Sequence, residues 1–231
     1  MENENKIITL MNPSSPYVEE YKKLQLNIQY SSLDKDIKVI EITSTEANEG
    51  KTNTAANLAA TYALKNKKAI IVDLDLRKPK LHKIFNIHNE IGIVDVVTEN
   101  ASFDDAVYHH ESGLDVLTRG SNTPKIELFL ESEKLTRFIK ELKEKYDAII
   151  LDCPPTTVVT DSILISKNAD GIVFVVAYNK VKKDTVKDSV KRLSNVGANI
   201  LGVVMTQGEK VNPKKYARYT YYSKNYQEGG K

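Results

Sequence analysis

The stretch VIEITSTEANEGKTNTAANLAA, from Val39 to Ala60, contains the pattern around which the rest of the chain can be organised. Its first residues, VIEI, predict a short buried strand, and the small apolar residues near its end predict a helix. Between them lies Gly50-Lys51-Thr52, in the strand–loop–helix context that a phosphate-binding loop requires. Backbone N–H groups and the helix dipole favour an anion at such a helix N-terminus.

In this loop, Lys51 is predicted to reach the β- and γ-phosphates of a nucleotide and Thr52 to bind Mg²⁺. The first glycine of the usual G-x-x-x-x-G-K-[ST] pattern is replaced by Thr45. Gly-Lys-Thr alone is a weak signal, and the alternative is an ordinary strand-to-helix turn bent at Gly50. The predicted nucleotide-binding residues are Ala47, Asn48, Glu49, Gly50, Lys51, Thr52 and Asn53.

The composition is that of an ordinary globular protein, with 41% hydrophobic and 28% charged residues in a chain of 231. A formal net charge of +2 is too small to indicate nucleic-acid binding, so no nucleic-acid partner is predicted. A single cysteine excludes an internal disulfide and suits a reducing cytosol. Neither a membrane-spanning apolar run nor a signal-peptide pattern is present, so any membrane role requires another chain.

Two further apolar strands end in acidic residues. AIIVD, residues 69–73, is followed by Asp75, and DAIILD, residues 147–152, ends at Asp152 before two prolines. Continuous apolar strands indicate a parallel sheet that is buried on both faces, and ligands bind at the carboxyl ends of such strands. The alternative is that Asp73 and Asp75 are turn or capping residues. We expect Lys51, Thr52 and these acids to converge on one Mg-nucleotide site.

The remaining pattern alternates strands with helices, which predicts a doubly wound, mostly parallel α/β sheet in one domain, residues 1–207. Residues 208–231 contain six Lys/Arg against two Glu, a balance of +4, and are predicted to form a flexible basic tail. The predicted helices cover residues 16–30, 55–64, 81–85, 92–97, 103–108, 123–146, 162–167 and 182–195, and the helix at 123–146 is predicted to break near residue 132. Besides the three strands above, strands are predicted at 114–117, 171–177 and 200–205.

The EGKT loop, the strand-DLDLRKP segment and the strand-DCPP segment together resemble the bacterial tyrosine kinases of capsule and exopolysaccharide synthesis. These are phosphate-loop NTPases of the deviant Walker type, related to the MinD and ParA ATPases. The resemblance extends from the first helix to the tyrosine-rich tail. It implies autophosphorylation of the tail, in trans, at Tyr216, Tyr219, Tyr221, Tyr222 and Tyr226.

The resemblance also implies a role for each matching site residue. Lys51 and Thr52 match the residues that bind phosphate and Mg²⁺, with ATP as the nucleotide. Asp73 matches the base that accepts the tyrosine proton, whereas Asp75 and Asp152 match Mg²⁺ partners. These roles agree with the chemistry, because phosphoryl transfer needs positioning and charge neutralisation, and a phenol of pKa ~10 needs a proton acceptor.

The chain departs from the family pattern at three places. The family loop usually reads Pro-Gly-Glu-Gly-Lys, where this chain has Ala47-Asn48, although asparagine tolerates a left-handed backbone. The first helix usually carries E-x-x-R-x-x-R, which assembles a subunit ring, where this chain has Glu19, Lys22 and Gln25. Thr206 occupies a position that usually holds an asparagine near the adenine. Because Lys22 and Gln25 replace the two arginines, a weak ring is expected.

The resemblance further implies a cytoplasmic protein that a membrane polysaccharide co-polymerase recruits to the inner face of the membrane through its cytosolic segment. A homo-oligomer and an opposing tyrosine phosphatase are the other expected partners. Two alternatives are an ATP-driven switch like the MinD and ParA ATPases and a nucleotide-binding pseudokinase. The switch ATPases usually have an additional lysine early in the loop, a region that here reads Thr45-Glu46-Ala47-Asn48.

Overall fold

The computed structural model of the chain describes residues 7–32, 35–157 and 160–208. The strands in these ranges are β1 (Val39–Ser44), β2 (Ala69–Asp73), β3 (Val107–His109), β4 (Leu114–Leu117), β5 (Ala148–Asp152), β6 (Gly171–Ala177) and β7 (Ile200–Thr206). The helices are α1 (Ile8–Met11), α2 (Pro16–Gln29), α3 (Lys51–Ala63), α4 (Leu81–Phe85), α5 (Ile93–Val97), α6 (Phe103–Ala106), α7 (Ile126–Leu130), α8 (Glu133–Lys145), α9 (Asp161–Ile165) and α10 (Lys183–Asn195). A short 3-10 helix, Ser166–Asn168, follows α9.

The described strands form a sheet in the order β3-β4-β2-β5-β1-β6-β7. Each neighbouring pair is parallel except β3 and β4, which are antiparallel. The prediction of a doubly wound, mostly parallel α/β sheet is therefore confirmed. The strand order places β1 between β5 and β6, so the phosphate-loop strand is central.

Helices cover both faces of the sheet, and this explains the nearly continuous apolar character of its central strands. Every residue of β1, β2 and β5 is buried. The alanine-rich helix α3 packs with α1, α2 and α4 against one face, whereas α5, α7 and α8 pack against the other. The many small side chains of α3 allow every residue of this helix except Asn53 to be buried.

The structure corrects two details of the predicted elements and confirms a third. The predicted helix at residues 103–108 ends at Ala106, and the chain continues as β3, an edge strand that the sequence analysis missed. The break in the long helix does occur at Ser132, whose side chain accepts a hydrogen bond from the Leu135 N–H and so caps α8. Helix α1 was also missed, since it is only four residues long.

The parallel topology positions the candidate site. Because β1, β2 and β5 are adjacent and parallel, their carboxyl ends meet at one edge of the sheet.

No helix in the described ranges combines the length and the apolar character needed to cross a membrane.

Candidate active site

The loop between β1 and α3 has the backbone of a tight anion-binding turn. Gly50 has φ +86° and caps the N-terminus of α3, and Asn48 has φ +62°. Both values lie in the left-handed region, which glycine adopts freely and asparagine tolerates better than most residues. The structure therefore confirms that Asn48 can adopt the left-handed conformation in place of the family's glycine.

The lysine of this loop lies among the predicted acids. Lys51 Nζ is 2.9 Å from Asp75 Oδ2 and 3.3 Å from Asp152 Oδ1, and all three side chains are buried. Asp73 lies directly opposite Asp152 on the neighbouring strand. The predicted convergence of Lys51 with acids from β5 and the segment after β2 is therefore present in the structure.

Burial and mutual interaction change the acidities of this cluster. Burial opposes the charged form of Lys51, but the carboxylates of Asp152 and Asp75 outweigh burial and hold its pKa above the ordinary value. Burial raises the pKa of Asp152, and Lys51 only partly reverses that effect. Burial, together with the nearby Asp152, raises the pKa of Asp73 to about 7.

Asp73 is fully buried and accepts several backbone hydrogen bonds. Its Oδ2 accepts from the N–H groups of Lys80 and Leu81, each at 3.0 Å, and its Oδ1 accepts from Asp75 N–H at 3.2 Å. These bonds hold the segment after β2 in place, so Asp73 has a structural role whether or not it also accepts a proton.

A cleft of about 1020 Å³ opens beside the loop and the N-terminus of α3. Five of the seven predicted nucleotide-binding residues line it and two do not: Asn48, Gly50, Lys51, Thr52 and Asn53 are in the lining, Ala47 and Glu49 are not. The sequence analysis missed other residues that line it, among them Tyr21 from α2, Lys80 and Lys83. No local pattern marks them, because they come from segments far from the loop in sequence.

Glu49 was predicted to bind the nucleotide, but its side chain bonds to the protein. The buried carboxylate accepts from Glu46 N–H at 2.5 Å and from Ala177 N–H, at the end of β6, at 2.8 Å. The Thr206 hydroxyl donates to the Glu49 carbonyl oxygen at 2.5 Å. Glu49 and Thr206 therefore fasten the loop to the ends of β6 and β7.

The predicted assembly residues on α2 differ in their exposure. Lys22 Nζ pairs with Glu19 at 2.6 Å on the surface of the helix, whereas Gln25 is only 3% exposed within a single chain. Within a single chain, Glu19 and Lys22 are therefore accessible to a neighbouring copy, whereas Gln25 is not. The five tyrosines of the tail, Tyr216 to Tyr226, lie outside the described residues.

Known proteins resemble the chain in both sequence and fold. A family model described as an AAA domain matches residues 37–200. The tyrosine-protein kinase YwqD of Bacillus subtilis (strain 168) is 34% identical over 220 residues, which cover 95% of this chain and 92% of the relative.

Solved structures of other proteins also resemble the chain in fold and in sequence. The chimerical protein CapA2B2, known from a crystal structure, has 35% sequence identity to this chain and a TM-score of 0.85. The match covers 88% of this chain and 90% of the CapA2B2 chain. The cell division ATPase MinD of Pyrococcus furiosus is 25% identical with a TM-score of 0.62, covering 77% of this chain and 76% of its own.

Proposed function

We propose a specific reaction for this chain, which belongs to the bacterial tyrosine-protein kinases: with Mg²⁺ bound at the phosphate loop, it transfers the γ-phosphoryl group of ATP to a tyrosine hydroxyl. The observation that carries the proposal is the position of Lys51, whose ammonium lies within hydrogen-bond reach of Asp75 and Asp152 at the edge of the nucleotide cleft. Phosphoryl transfer depends mainly on such positioned charges.

The residues present fit a magnesium ion. Oδ2 of Asp152 is buried and has no hydrogen-bond partner among the described residues, which is costly unless a cation or water binds to it. The described residues contain no cluster of three or more His, Cys, Asp or Glu side chains that could hold a metal by themselves. Mg²⁺ is usually bound by one or two carboxylates with phosphates and water. Asp152, Asp75 and Thr52 would hold the ion, which supplies charge neutralisation to the phosphates.

Asp73 is the candidate proton acceptor for the attacking tyrosine. A pKa of about 7 matches the working range of a general base at neutral pH. Each carboxylate oxygen has two lone pairs, and the described bonds to Oδ1 occupy only one of them. In the proposed step the tyrosine oxygen attacks the γ-phosphorus, the bond from that phosphorus to the ADP oxygen breaks, and the phenolic proton passes to Asp73.

The proposed main substrate is the tyrosine cluster Tyr216 to Tyr226 of a neighbouring copy. The tail of 24 residues spans roughly 25–30 Å on average if it is flexible, which allows it to reach a site on another subunit. Its +4 balance would favour approach to the acids and to the ATP phosphates, and each phosphotyrosine adds about −1.5 to −2 charge. Two or three phosphates would thus reverse the tail's charge and release it.

The proposed setting is capsular or exopolysaccharide synthesis, with a cytoplasmic location at the inner face of the membrane. The partners proposed are the cytosolic segment of a membrane polysaccharide co-polymerase, a weak ring of further copies through Glu19 and Lys22, and an opposing tyrosine phosphatase. The family membership and the likeness to the CapA2B2 chimera support this setting.

The test is incubation of the full chain with Mg-ATP, with and without the partner's cytosolic segment, followed by anti-phosphotyrosine detection and intact mass. To separate trans from cis reaction, the inactive Lys51→Met chain is mixed with an active truncation that ends at Gly208. We expect phosphate at Tyr216 to Tyr226 of the inactive chain. Phosphate confined to other residues, or absent from the inactive chain, would show that the trans-tail mechanism is wrong.

A further inference from the structure

Two backbone carbonyl groups of the phosphate loop accept hydrogen bonds from side chains that come from distant parts of the chain. Lys180 Nζ donates to the carbonyl oxygens of Ala47 at 3.0 Å and of Asn48 at 2.7 Å. Gln207 Nε2 donates to the same Asn48 oxygen at 2.9 Å. Lys180 lies in the turn after β6 and Gln207 directly follows β7, so the two neighbouring strands both contribute to this contact.

These contacts fix the direction of two peptide groups. In a trans peptide the C=O and the N–H point in opposite directions, and no cis peptide occurs in the described ranges. Because Lys180 binds the oxygens of Ala47 and Asn48, the N–H groups of Asn48 and Glu49 are directed away from it. The hydrogen bonds described for the chain use neither of these N–H groups. They are therefore available to phosphate oxygens.

We propose that Lys180 is a positioning residue that orients the loop amides for the phosphates of the nucleotide. Gln207, which is uncharged, supports the same orientation through its hydrogen bond to the Asn48 carbonyl oxygen. The inference deepens the proposed function and rests on it. Lys180 acts through backbone carbonyl groups of the loop, whereas Lys51 bonds to the acids. Its ammonium also polarises the two peptide groups, because hydrogen bonds from a charged donor are stronger than neutral ones.

The sequence of the loop explains why such a clamp is needed. The loop has Thr45 and Asn48 in place of two glycines of the usual patterns, and Asn48 holds a left-handed backbone with φ +62°. A non-glycine residue in this region persists when the surrounding structure over-determines it. On the cleft side, Lys80 Nζ donates to Asn48 Oδ1 at 3.1 Å, so three side chains secure this residue.

The test measures binding of ADP with Mg²⁺ by isothermal titration calorimetry to the full chain and to the variants Lys180→Met, Lys180→Arg, Gln207→Ala and Lys183→Met. Lys183 is an exposed lysine at the start of α10 and serves as the charge-matched control. We expect Lys180→Met to raise the Kd about 10-fold, as the loss of charge-assisted hydrogen bonds would. Arginine should restore most of the affinity, and Lys183→Met should stay within about twofold.

Two readouts separate positioning from general attraction. In the nucleotide-free protein, the ¹⁵N-amide resonances of Asn48 and Glu49 should move in Lys180→Met and not in Lys183→Met. In the phosphorylation reaction, Lys180→Met should raise the KM for ATP and leave kcat within about threefold, because the oriented amides bind substrate and transition state alike. Lys180 is exposed, so thermal unfolding should be unchanged.

The outcomes are distinguishable. If wild-type chain binds no ADP, the proposed function is wrong. If wild-type chain binds ADP and Lys180→Met binds it equally well, the positioning role alone is wrong. Equal losses in Lys180→Met and Lys183→Met, or unmoved amide resonances, would show a general effect of surface charge and would also overturn the inference.

Discussion

Replacing Lys51 by methionine should destabilise the nucleotide-free protein as well as abolish its reaction. The Lys51 side chain is 7% exposed, and its carboxylate partners Asp75 and Asp152 are 6% and 0% exposed. Methionine retains most of the apolar stem but leaves both acids without their cation. On the sequence alone, Lys51 is expected to serve only as a counter-charge for phosphate, so the Lys51→Met variant would keep an intact fold. The buried ion pairs in the structure change that expectation.

The size of the effect follows from the burial of the pairs. Removing one partner of a buried ion pair costs about 3–5 kcal/mol, because the other charge is left uncompensated. For a chain of this size each kcal/mol lowers the Tm by about 2–4 °C, which gives a decrease of about 6–20 °C. The Asp75 side chain is 6% exposed, so its burial is not complete and we expect a value near the lower end.

The assay is thermal unfolding of nucleotide-free protein, followed by far-UV circular dichroism. Lys65→Met is the control, because it removes an exposed lysine just after α3 and should change stability by no more than about 0.5 kcal/mol. Adding Asp152→Asn to Lys51→Met removes one of the stranded charges and should recover part of the loss. An unchanged Tm in Lys51→Met, at full native ellipticity, would refute the reasoning.

Three other variants test different parts of the molecule. Glu41 is fully buried, its Oε1 accepts a hydrogen bond from the Ser162 hydroxyl at 2.5 Å, and burial raises its pKa to about 8. The free energy of unfolding should therefore fall as the pH rises from about 5 through 8, because the buried carboxyl group loses its proton. Urea titrations across this range should show a smaller fall for Glu41→Gln, which cannot ionise. Asp73→Asn should lower kcat for a tyrosine peptide more than it weakens ADP binding; equal losses would indicate that Asp73 mainly anchors its segment. Tyr21 lines the cleft and bonds to the Thr54 side chain, so Tyr21→Ala should weaken ADP binding, as measured by calorimetry; unchanged affinity would show that Tyr21 does not contact the nucleotide.

The central sheet and the acids at its edge could be predicted from the sequence because their signals are local. A parallel strand buried on both faces reads as a continuous apolar run, and the acid that follows it must lie at the carboxyl edge. AIIVD and DAIILD both have this form. Strand β3 has no such signal, since only Val107 of its three residues is buried and it pairs at the edge.

The contacts that secure the loop could not be predicted because they join residues far apart in sequence. Lys180 and Gln207 lie 132 and 159 positions from Asn48. Each reads as an ordinary exposed residue in its own segment. The burial of Glu41 could not be predicted for a different reason. A charged residue in a strand is usually exposed, whereas Glu41 is buried beneath α9, where its carboxyl group bonds to Ser162.

The charges around Lys51 bear on why a nucleotide would need a cation in this site. Asp75 and Asp152 share the ammonium of Lys51, and Asp73 adds a third carboxyl group next to Asp152. The phosphates of a nucleotide would bring further negative charge to a cluster in which carboxyl groups already outnumber this ammonium. Two of the three N–H donors of Lys51 are engaged, so it cannot bind several phosphate oxygens without leaving a carboxylate. We therefore infer that the buried acids of this chain create the need for Mg²⁺. The added positive charge is most needed at Asp152, whose Oδ2 has no hydrogen-bond partner in the part of the chain that the structure describes.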